Sequence, residues 1–289
     1  MKVRKALLPL AGLGTRFLPW TKGLAKEMLP VVDVPSVQVV IEEALRSGIE
    51  FFVFVTSHRK TEIENYFDRD PELEMELERA GKEELLKIVR EVSSKIEFVS
   101  VRQGEPRGLG HAVYMGKRIL EGEPFAVLLP DDITYCEKKP VLKQMMEIAQ
   151  KYDSSVVAVE EVPKEDVSKY GVVGGEKVEE RVIRLRRLVE KPSAEEAPSN
   201  LAIVGRYILP GDIFETIEKT PPGRGGEIQL TDAMMIQVDS GKRYLAYRFE
   251  GIRYDTGNKL GYLKTVVDFA LRDPRFQEEF RAYLRSKLL

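Results

Sequence analysis

The segment Lys5-Ala-Leu-Leu-Pro-Leu-Ala-Gly-Leu-Gly-Thr-Arg16 opens as an apolar run and breaks into a glycine-rich turn ending in a cation. A short run without polar alternation predicts a strand covered on both faces, as in a parallel sheet. Phe51-Phe-Val-Phe-Val-Thr56 repeats the pattern. Between them, Val37, Val40, Ile41, Ala44 and Leu45 recur at helical spacing, and Gly48 ends the stretch. Strand, helix, strand in this order is a βαβ unit. Further strands are expected at 96–101, 125–129, 154–159, 182–189, 202–208 and 244–249. The chain therefore reads as α/β.

Composition bounds what such a fold does. The 289 residues hold 45 Lys and Arg against 47 Asp and Glu, with two His and one cysteine, Cys136. A chain of this length buries roughly three quarters of its unfolded surface and needs no covalent staples. One cysteine excludes an internal disulfide and a multi-cysteine metal cage. A net charge of −2 argues against nucleic acid as a partner. No run approaches the ~18 apolar residues of a membrane span. The basic, then apolar, start imitates a secretory signal, but Pro9 and Gly12 interrupt it and no small-residue cleavage site follows. The expected compartment is the cytoplasm.

Without repeats or a low-complexity linker, one domain over 1–289 is expected, with two appendages. Residues 62–95 form a charged excursion: from Glu62 to Glu91 acids outnumber bases eleven to five. The run Glu72-Leu-Glu-Met-Glu-Leu-Glu78 alternates like a strand. Leu73, Leu77, Leu85 and Ile88 also fit one helical stripe, and good helix formers dominate, so a solvated helix is expected. Residues 260–289 form a helical tail. Leu263, Val266, Val267 and Ala270 make one stripe, and Phe276, Phe280 and Leu284 another. It docks on its own domain or on another subunit.

Four stretches carry chemistry. In 10–19, Gly12 and Gly14 sit where backbone N–H groups can approach a phosphate. The third glycine of a dinucleotide fingerprint is replaced by Phe17, and no Gly-Lys-Ser/Thr follows to make a P-loop. Thr15-Arg16, Lys22 and Lys26 add three cations to one loop, which suits a polyphosphate. In 125–132 a buried strand delivers Asp131 and Asp132 at its carboxyl end, where open α/β sheets bind ligands. They are ligands for Mg²⁺ with substrate phosphates, or a tight turn. In 103–112, Gln103 could pair with a nucleobase edge, His111 is structural, and His58 is a surface residue. In 188–192, Glu190 and Lys191 suit the hydroxyls and phosphate of a sugar phosphate, or are a surface charge pair. Neighbours on a regular strand face opposite ways, so both serve one site only if the strand ends or bulges there. Asp255, before Gly257, could be a second metal ligand. Cys136 is structural or incidental.

Ala11-Gly-Leu-Gly-Thr-Arg16, Lys26-Glu-Met-Leu-Pro30, Gly108-Leu-Gly-His-Ala112, Leu129-Pro-Asp131, Val189-Glu-Lys-Pro192, Glu227-Ile-Gln-Leu-Thr-Asp-Ala233 and Gly257-Asn-Lys-Leu-Gly-Tyr262 together resemble the bacterial sugar nucleotidyltransferases, specifically their uridylyl-transferring branch. The resemblance spans nearly the whole chain. It implies a Rossmann-like nucleotidyltransferase fold: a mostly parallel mixed sheet, helices on both faces and a smaller sugar-side β-rich portion. It implies UTP and α-D-glucose 1-phosphate as substrates, UDP-glucose and pyrophosphate as products, Mg²⁺ as cofactor, and a homodimer or homotetramer. By resemblance, Ala11, Gly12 and Gln103 hold the uracil with Gly108 packed against it, and Gly14 and Thr15 belong to the nucleotide loop. Arg16 and Lys26 hold the triphosphate, and Asp131 and Asp255 the metal. Gly171 and Glu190 bind glucose hydroxyls, and Lys191 the sugar phosphate. One departure is Ala25, where the family usually has Pro, which would loosen the lysine loop slightly.

The chemistry fits the scarcity of His and of nucleophilic side chains. A phosphate oxygen is already ionised at neutral pH, so its in-line attack on the α-phosphorus needs positioning and charge neutralisation, not a general base. Two other readings compete. Thymidylyl transfer keeps the same machinery, since uracil and thymine share one pairing edge. A non-catalytic regulatory homologue would lack Arg16, Lys26 or Asp131, and all three are present.

Overall fold

The computed structural model describes residues 1–288; Leu289, the last residue of the expected tail, lies outside the described residues. All eight expected strands form, as Lys5–Pro9, Phe51–Thr56, Glu97–Arg102, Phe125–Leu128, Ser155–Glu161, Val182–Glu190, Leu201–Leu209 and Tyr244–Arg248. A ninth, Gly171–Lys177, joins them. Gly171, Gly174 and Gly175 gave it the composition of a loop. Across the sheet the strands run 97–102, 51–56, 5–9, 125–128, 201–209, 155–161, 244–248, 182–190 and 171–177.

Pairing differs between the two halves. The first four strands are parallel, with Leu7 opposite both Val53 and Val127. Leu201–Leu209 is antiparallel to its neighbours, and Val182–Glu190 pairs antiparallel on both sides. Only Ser155–Glu161 with Tyr244–Arg248 is parallel there. The expectation of a mostly parallel sheet thus holds only for the half from 97–102 to 125–128. The reason is connection length: the turn between Lys177 and Val182 is far too short for a parallel crossover.

Alternate residues of the central strands enter two separate cores. Ala6, Leu8, Phe52, Phe54, Ala126 and Leu128 pack on one face with the helices Ser36–Ser47 and Val141–Tyr152. Leu7, Val53, Val55, Phe125 and Val127 pack on the other with Leu109–Tyr114, Ile213–Lys219 and Leu230–Asp239. Burial on both faces is why these strands read as continuous apolar runs.

The excursion is helical, as Thr61–Phe67, Pro71–Arg79 and Glu83–Ser94. Glu72 to Glu78 lies within a helix despite its alternation. Asp70 caps that helix at the Leu73 amide, 3.0 Å away, and Pro71 pre-sets its first turn. The expected single stripe does not form. The chain turns between Arg79 and Glu83, so Leu73 and Leu77 lie on one helix and Leu85 and Ile88 on the next. Leu73, Leu85 and Ile88 are exposed, and Leu86 and Glu74 are buried instead. Arg69 and Arg90 pair with Glu74 there.

The tail forms Lys259–Ala270 and Gln277–Leu288. Its first helix docks on its own domain through Thr265, Phe269 and Ala270, whereas Leu263 of the expected stripe points outward. The Tyr262 hydroxyl donates to the Pro30 carbonyl at 2.8 Å. Among the described residues no helix is long and apolar enough to cross a membrane.

Beneath the sheet's carboxyl edge lies a buried ion pair that has no sequence signature. Arg206, fully buried, donates to Glu43 at 2.7 and 3.1 Å. Glu43 also accepts from the Leu142 amide and the Thr134 hydroxyl, and Arg206 from its other end reaches the Leu129 carbonyl. The pair ties the Ser36–Ser47 helix to the turn that presents Asp131.

Candidate active site

The site gathers at the carboxyl ends of the parallel strands. After Lys5–Pro9 the chain is held by the Leu10 amide on the Val55 carbonyl, then turns at Gly14 with φ +67°. A Cβ there would stand 3.0 Å from Thr21 Cγ2, so the turn needs glycine for both backbone and space. Gly12 faces open space. Thr15 and Arg16 are exposed on the following single turn.

Two cavities flank this loop. One, of about 260 Å³, is lined by Arg16, Asp131, Gly171, Glu190, Lys191 and Asp255 among others. The second, of about 290 Å³, is lined by Ala11, Gly12, Lys22, Lys26, Arg59 and Lys60 among others. The three cations of the loop therefore divide: Arg16 faces the first cavity and Lys22 the second. Lys26 stands between them, because its Nζ lies 2.5 Å from Asp131 Oδ2. Burial works against the Lys26 ammonium, but Asp131 and Glu27 outweigh it and hold its pKa above the ordinary value. Burial likewise opposes the Asp131 carboxylate, and Lys26 outweighs it, so its pKa is lowered. Both groups are charged at neutral pH.

The two aspartates of the turn part company. Asp132 accepts from Arg253 Nε at 2.5 Å and from the Gly205 amide at 3.0 Å, so it is a structural carboxylate. Both aspartates line the first cavity, and Asp255 comes to Asp131 across the antiparallel pairing of Asp132–Tyr135 with Ile252–Asp255. The Thr256 amide donates to the Asp131 carbonyl at 2.8 Å. Asp255 is oriented by the Gly257 amide on Oδ1 and the Asn258 side chain on Oδ2. A Cβ built on Gly257 would lie 3.0 Å from Asp255 Oδ1 and 3.1 Å from Asp131 Oδ2. The two carboxylates thus flank one small glycine. As a pair of hard oxygen donors beside a cationic glycine loop, they match what Mg²⁺ takes from proteins.

At the far wall, Val182–Glu190 ends and Lys191 turns with φ +47°, its amide on the Tyr170 carbonyl. That left-handed residue resolves the alternation problem: Lys191 Nζ comes within 3.5 Å of Glu190 Oε1, and both line one cavity. The Thr231 hydroxyl donates to Glu190 Oε2 at 2.9 Å. Gly171 lies against the same carboxylate, where a Cβ would be 3.2 Å from Oε2.

Gln103 leaves the sheet beside the Ser57–Lys60 turn, its amide on the Thr56 carbonyl at 2.8 Å. It is buried, and its Nε2 lies 2.9 Å from His111 Nδ1. Gly108 has φ +100°, and a Cβ there would meet the Ile228 carbonyl at 2.8 Å. The close approach of 227–228 is thus enough to require glycine. His58 is on the surface, as expected, and Cys136 is a partly buried free thiol.

Sequence reading did not single out Thr231, Tyr170 or Arg253, which line the first cavity. Thr231 lay inside a quoted motif without a role. Arg253 has no local signal, since it acquires its place by meeting Asp132, Glu160 and the Tyr170 ring from distant segments. The departure at Ala25 is compensated. Its φ of −64° is one that proline also adopts, and its amide, which proline lacks, donates to Glu62 Oε1 at 2.6 Å. The lysine loop is tethered to the Thr61–Phe67 helix, so the expected loosening does not occur.

A mixed α/β sheet with a cationic glycine loop and paired carboxylates at its carboxyl edge fits the class of nucleotidyl-transferring proteins, and residues 5–270 match the Nucleotidyl transferase family model. The chain belongs to that family. It is 49% identical over 287 residues to the UTP–glucose-1-phosphate uridylyltransferase of Streptococcus pyogenes, covering 98% of this chain and 94% of that one. Among solved structures it resembles a UTP-bound UGPase from Acinetobacter baumannii, with TM-score 0.91, 41% identity, and 98% and 99% of the two chains covered. It also resembles a UDP-glucose pyrophosphorylase complexed with UDP-glucose, with TM-score 0.86, 46% identity, and 94% and 100% covered.

Proposed function

We propose that the protein transfers a uridylyl group from UTP to α-D-glucose 1-phosphate, giving UDP-glucose and pyrophosphate. The observation that carries this is one cavity lined by Arg16, Asp131, Glu190 and Lys191, with Lys26 held next to it by Asp131. Arg16 and Lys26 suit a triphosphate, and Glu190 and Lys191 a sugar phosphate. The names and bound ligands of the relatives agree with both.

An oxygen of the sugar phosphate forms the new bond to the α-phosphorus of UTP, and the bond from that phosphorus to the bridging oxygen breaks, releasing pyrophosphate. No proton need be removed, and neither His nor Cys lines the cavity. The residues of the chain hold two polyanions in line and offset their repulsion. Arg16 and Lys26 face the triphosphate, and Lys191 the attacking phosphate. Glu190, oriented by Thr231, accepts hydrogen bonds from sugar hydroxyls. A magnesium ion held by Asp131 and Asp255 with substrate phosphates would neutralise charge at the α-phosphate. The proposal extends to a cytoplasmic homodimer or homotetramer, for which the exposed Leu260 and Leu263 supply apolar surface.

The test is pyrophosphate release with Mg²⁺ across UTP, dTTP, ATP, CTP and GTP against glucose, galactose and mannose 1-phosphates. Preference for UTP with glucose 1-phosphate is expected. Preference for dTTP would move the protein to thymidylyl transfer with the same site. Binding of UDP-glucose without release from any pair would mark a regulatory homologue.

Lys191→Ala is expected to lower use of glucose 1-phosphate by about 10- to 150-fold, the worth of one charge-assisted hydrogen bond of roughly 1.5–3 kcal/mol. UTP use should fall far less. Steady-state titration of each substrate checks this, and an equal loss for both contradicts the assignment.

A further inference from the structure

We infer that Arg253 is a positioning residue that sets the two substrates against each other, by tying the sugar-phosphate wall to the ribbon that carries the metal carboxylates. This deepens the proposed function and rests on it. Asp255 belongs to a two-stranded sheet, Asp132–Tyr135 with Ile252–Asp255, that is separate from the nine-stranded sheet. Gly171, Glu190 and Lys191 stand at or just past the ends of Gly171–Lys177 and Val182–Glu190, strands of the nine-stranded sheet. No strand pairing joins the ribbon to those two strands. The two halves of the proposed reaction therefore sit on separate supports.

Arg253 spans them. It lies two residues before Asp255 on one strand, so both side chains leave the same face, and both line the first cavity. Its Nε donates to Asp132 Oδ1 at 2.5 Å and its Nη1 to Glu160 Oε1 at 2.7 Å. The guanidinium lies 5.0 Å from the centre of the Tyr170 ring, with Nη1 3.4 Å from the Tyr170 hydroxyl. Tyr170 in turn holds the sugar wall. Its carbonyl accepts from the Lys191 amide at 2.9 Å, and Gly171, next in the chain, pairs with Glu190. The Arg253 side chain is only 8% exposed, and Nε and Nη1 are engaged with protein groups. It acts on the substrates through Asp132 and Tyr170.

The residue type matters. A planar guanidinium reaches two carboxylates and lies on a ring at once, whereas a lysine ammonium is a point charge that cannot do both. Each wall keeps its own ligand groups without Arg253: Lys26, Asp131 and Asp255 on one side, Glu190 and Lys191 on the other. What Arg253 supplies is their spacing. In-line transfer needs the attacking oxygen close to the α-phosphorus, and a misplacement of about 1 Å costs about 100-fold in rate. Loss of the tie should thus cost turnover, and the binding of any molecule that touches both walls, more than the binding of either substrate.

The test measures kcat, the KM of each substrate, and calorimetric binding of UTP and of UDP-glucose in the native protein, Arg253→Lys, Tyr170→Leu and the double variant. Arg253→Lys keeps a positive charge beside Asp132 and Glu160. Its kcat should fall about 10- to 100-fold, with both KM values near native. UDP-glucose, which touches both walls, should bind more weakly, and UTP alone as before. A merely structural loss lowers the active fraction and leaves the affinities of the remaining sites alone. The double variant should be little worse than the worse single one, because both cut the same tie. Native kcat and UDP-glucose affinity in Arg253→Lys overturn the inference. A raised KM for glucose 1-phosphate with kcat kept also overturns it, since Arg253 would then touch the sugar phosphate directly. So do independent losses that add in the double variant. If Arg253→Lys does not fold, Tyr170→Leu decides, and full turnover there overturns the inference. A native protein that neither binds UDP-glucose nor releases pyrophosphate defeats the proposed function itself, before any substitution is made.

Discussion

Asp131→Asn should lower turnover by about 10²- to 10³-fold, the loss that follows removal of one preorganised charge-stabilising group from a closed site. It should also raise the Mg²⁺ concentration needed for half-maximal rate. Asp131 has two partners to account for. In the structure its Oδ2 holds the Lys26 ammonium at 2.5 Å, and its carboxylate flanks Gly257 together with Asp255. Asn keeps the shape and removes the charge, so both the metal ligand and the anchor of Lys26 are weakened at once. Lys26→Met separates the two roles. It should also lower turnover, because a cation facing the triphosphate is lost, but should leave the Mg²⁺ requirement near its native value. Pyrophosphate release measured across a Mg²⁺ titration reads both quantities. An unchanged metal requirement in Asp131→Asn would place the ion on other ligands.

Glu43→Ala should destabilise the fold by about 3–5 kcal/mol, the cost of leaving a buried charge without its partner. Native domains are stable by roughly 5–15 kcal/mol, so this is a large share. Arg206 is fully buried and Glu43 nearly so, and no water reaches the guanidinium to replace the carboxylate. The urea midpoint should fall with the slope unchanged, as expected for loss of stability without loss of cooperativity. Joint replacement, Glu43→Leu with Arg206→Leu, removes both charges and should recover part of the loss. It cannot recover all, since the Leu142 amide and the Thr134 hydroxyl still lose their acceptor. A midpoint that stays put in Glu43→Ala would mean that Arg206 finds water by local opening near Leu129.

Local sequence determined the elements whose pattern is set by their own neighbours. The runs 5–10 and 51–56 are apolar at every position because alternate residues enter two different cores, and both positions and both faces were legible. Asp131, Glu190 and Lys191 were legible as candidates as well, since each stands where a strand ends and the chain must turn, and Arg16 and Lys26 because they lie in the glycine-rich loop after the first strand. Their types already suit phosphate, metal and sugar.

What local sequence could not show is decided by contacts between distant segments. The strand Gly171–Lys177, with its three glycines, is not among the expected strands, and forms because Val182–Glu190 and Leu201–Leu209 offer it two edges. Leu73, Leu77, Leu85 and Ile88 fit one stripe only if the helix is unbroken, and the turn before Glu83 divides them. The Asp131–Asp132 pair looks symmetrical in sequence. Arg253 takes Asp132 into a buried ion pair, and Asp255 arrives beside Asp131 through a pairing over more than a hundred residues. The Arg206–Glu43 pair and the Thr231 hydrogen bond to Glu190 are of the same kind. Residue types and turn positions are properties of a short stretch, so the sequence alone determined the βαβ core and the residue types at its turns. Which cation each carboxylate holds, and which hydroxyl orients Glu190, are properties of pairs. Only the tertiary structure decided them, because the partners of each pair are neighbours in space and strangers along the chain.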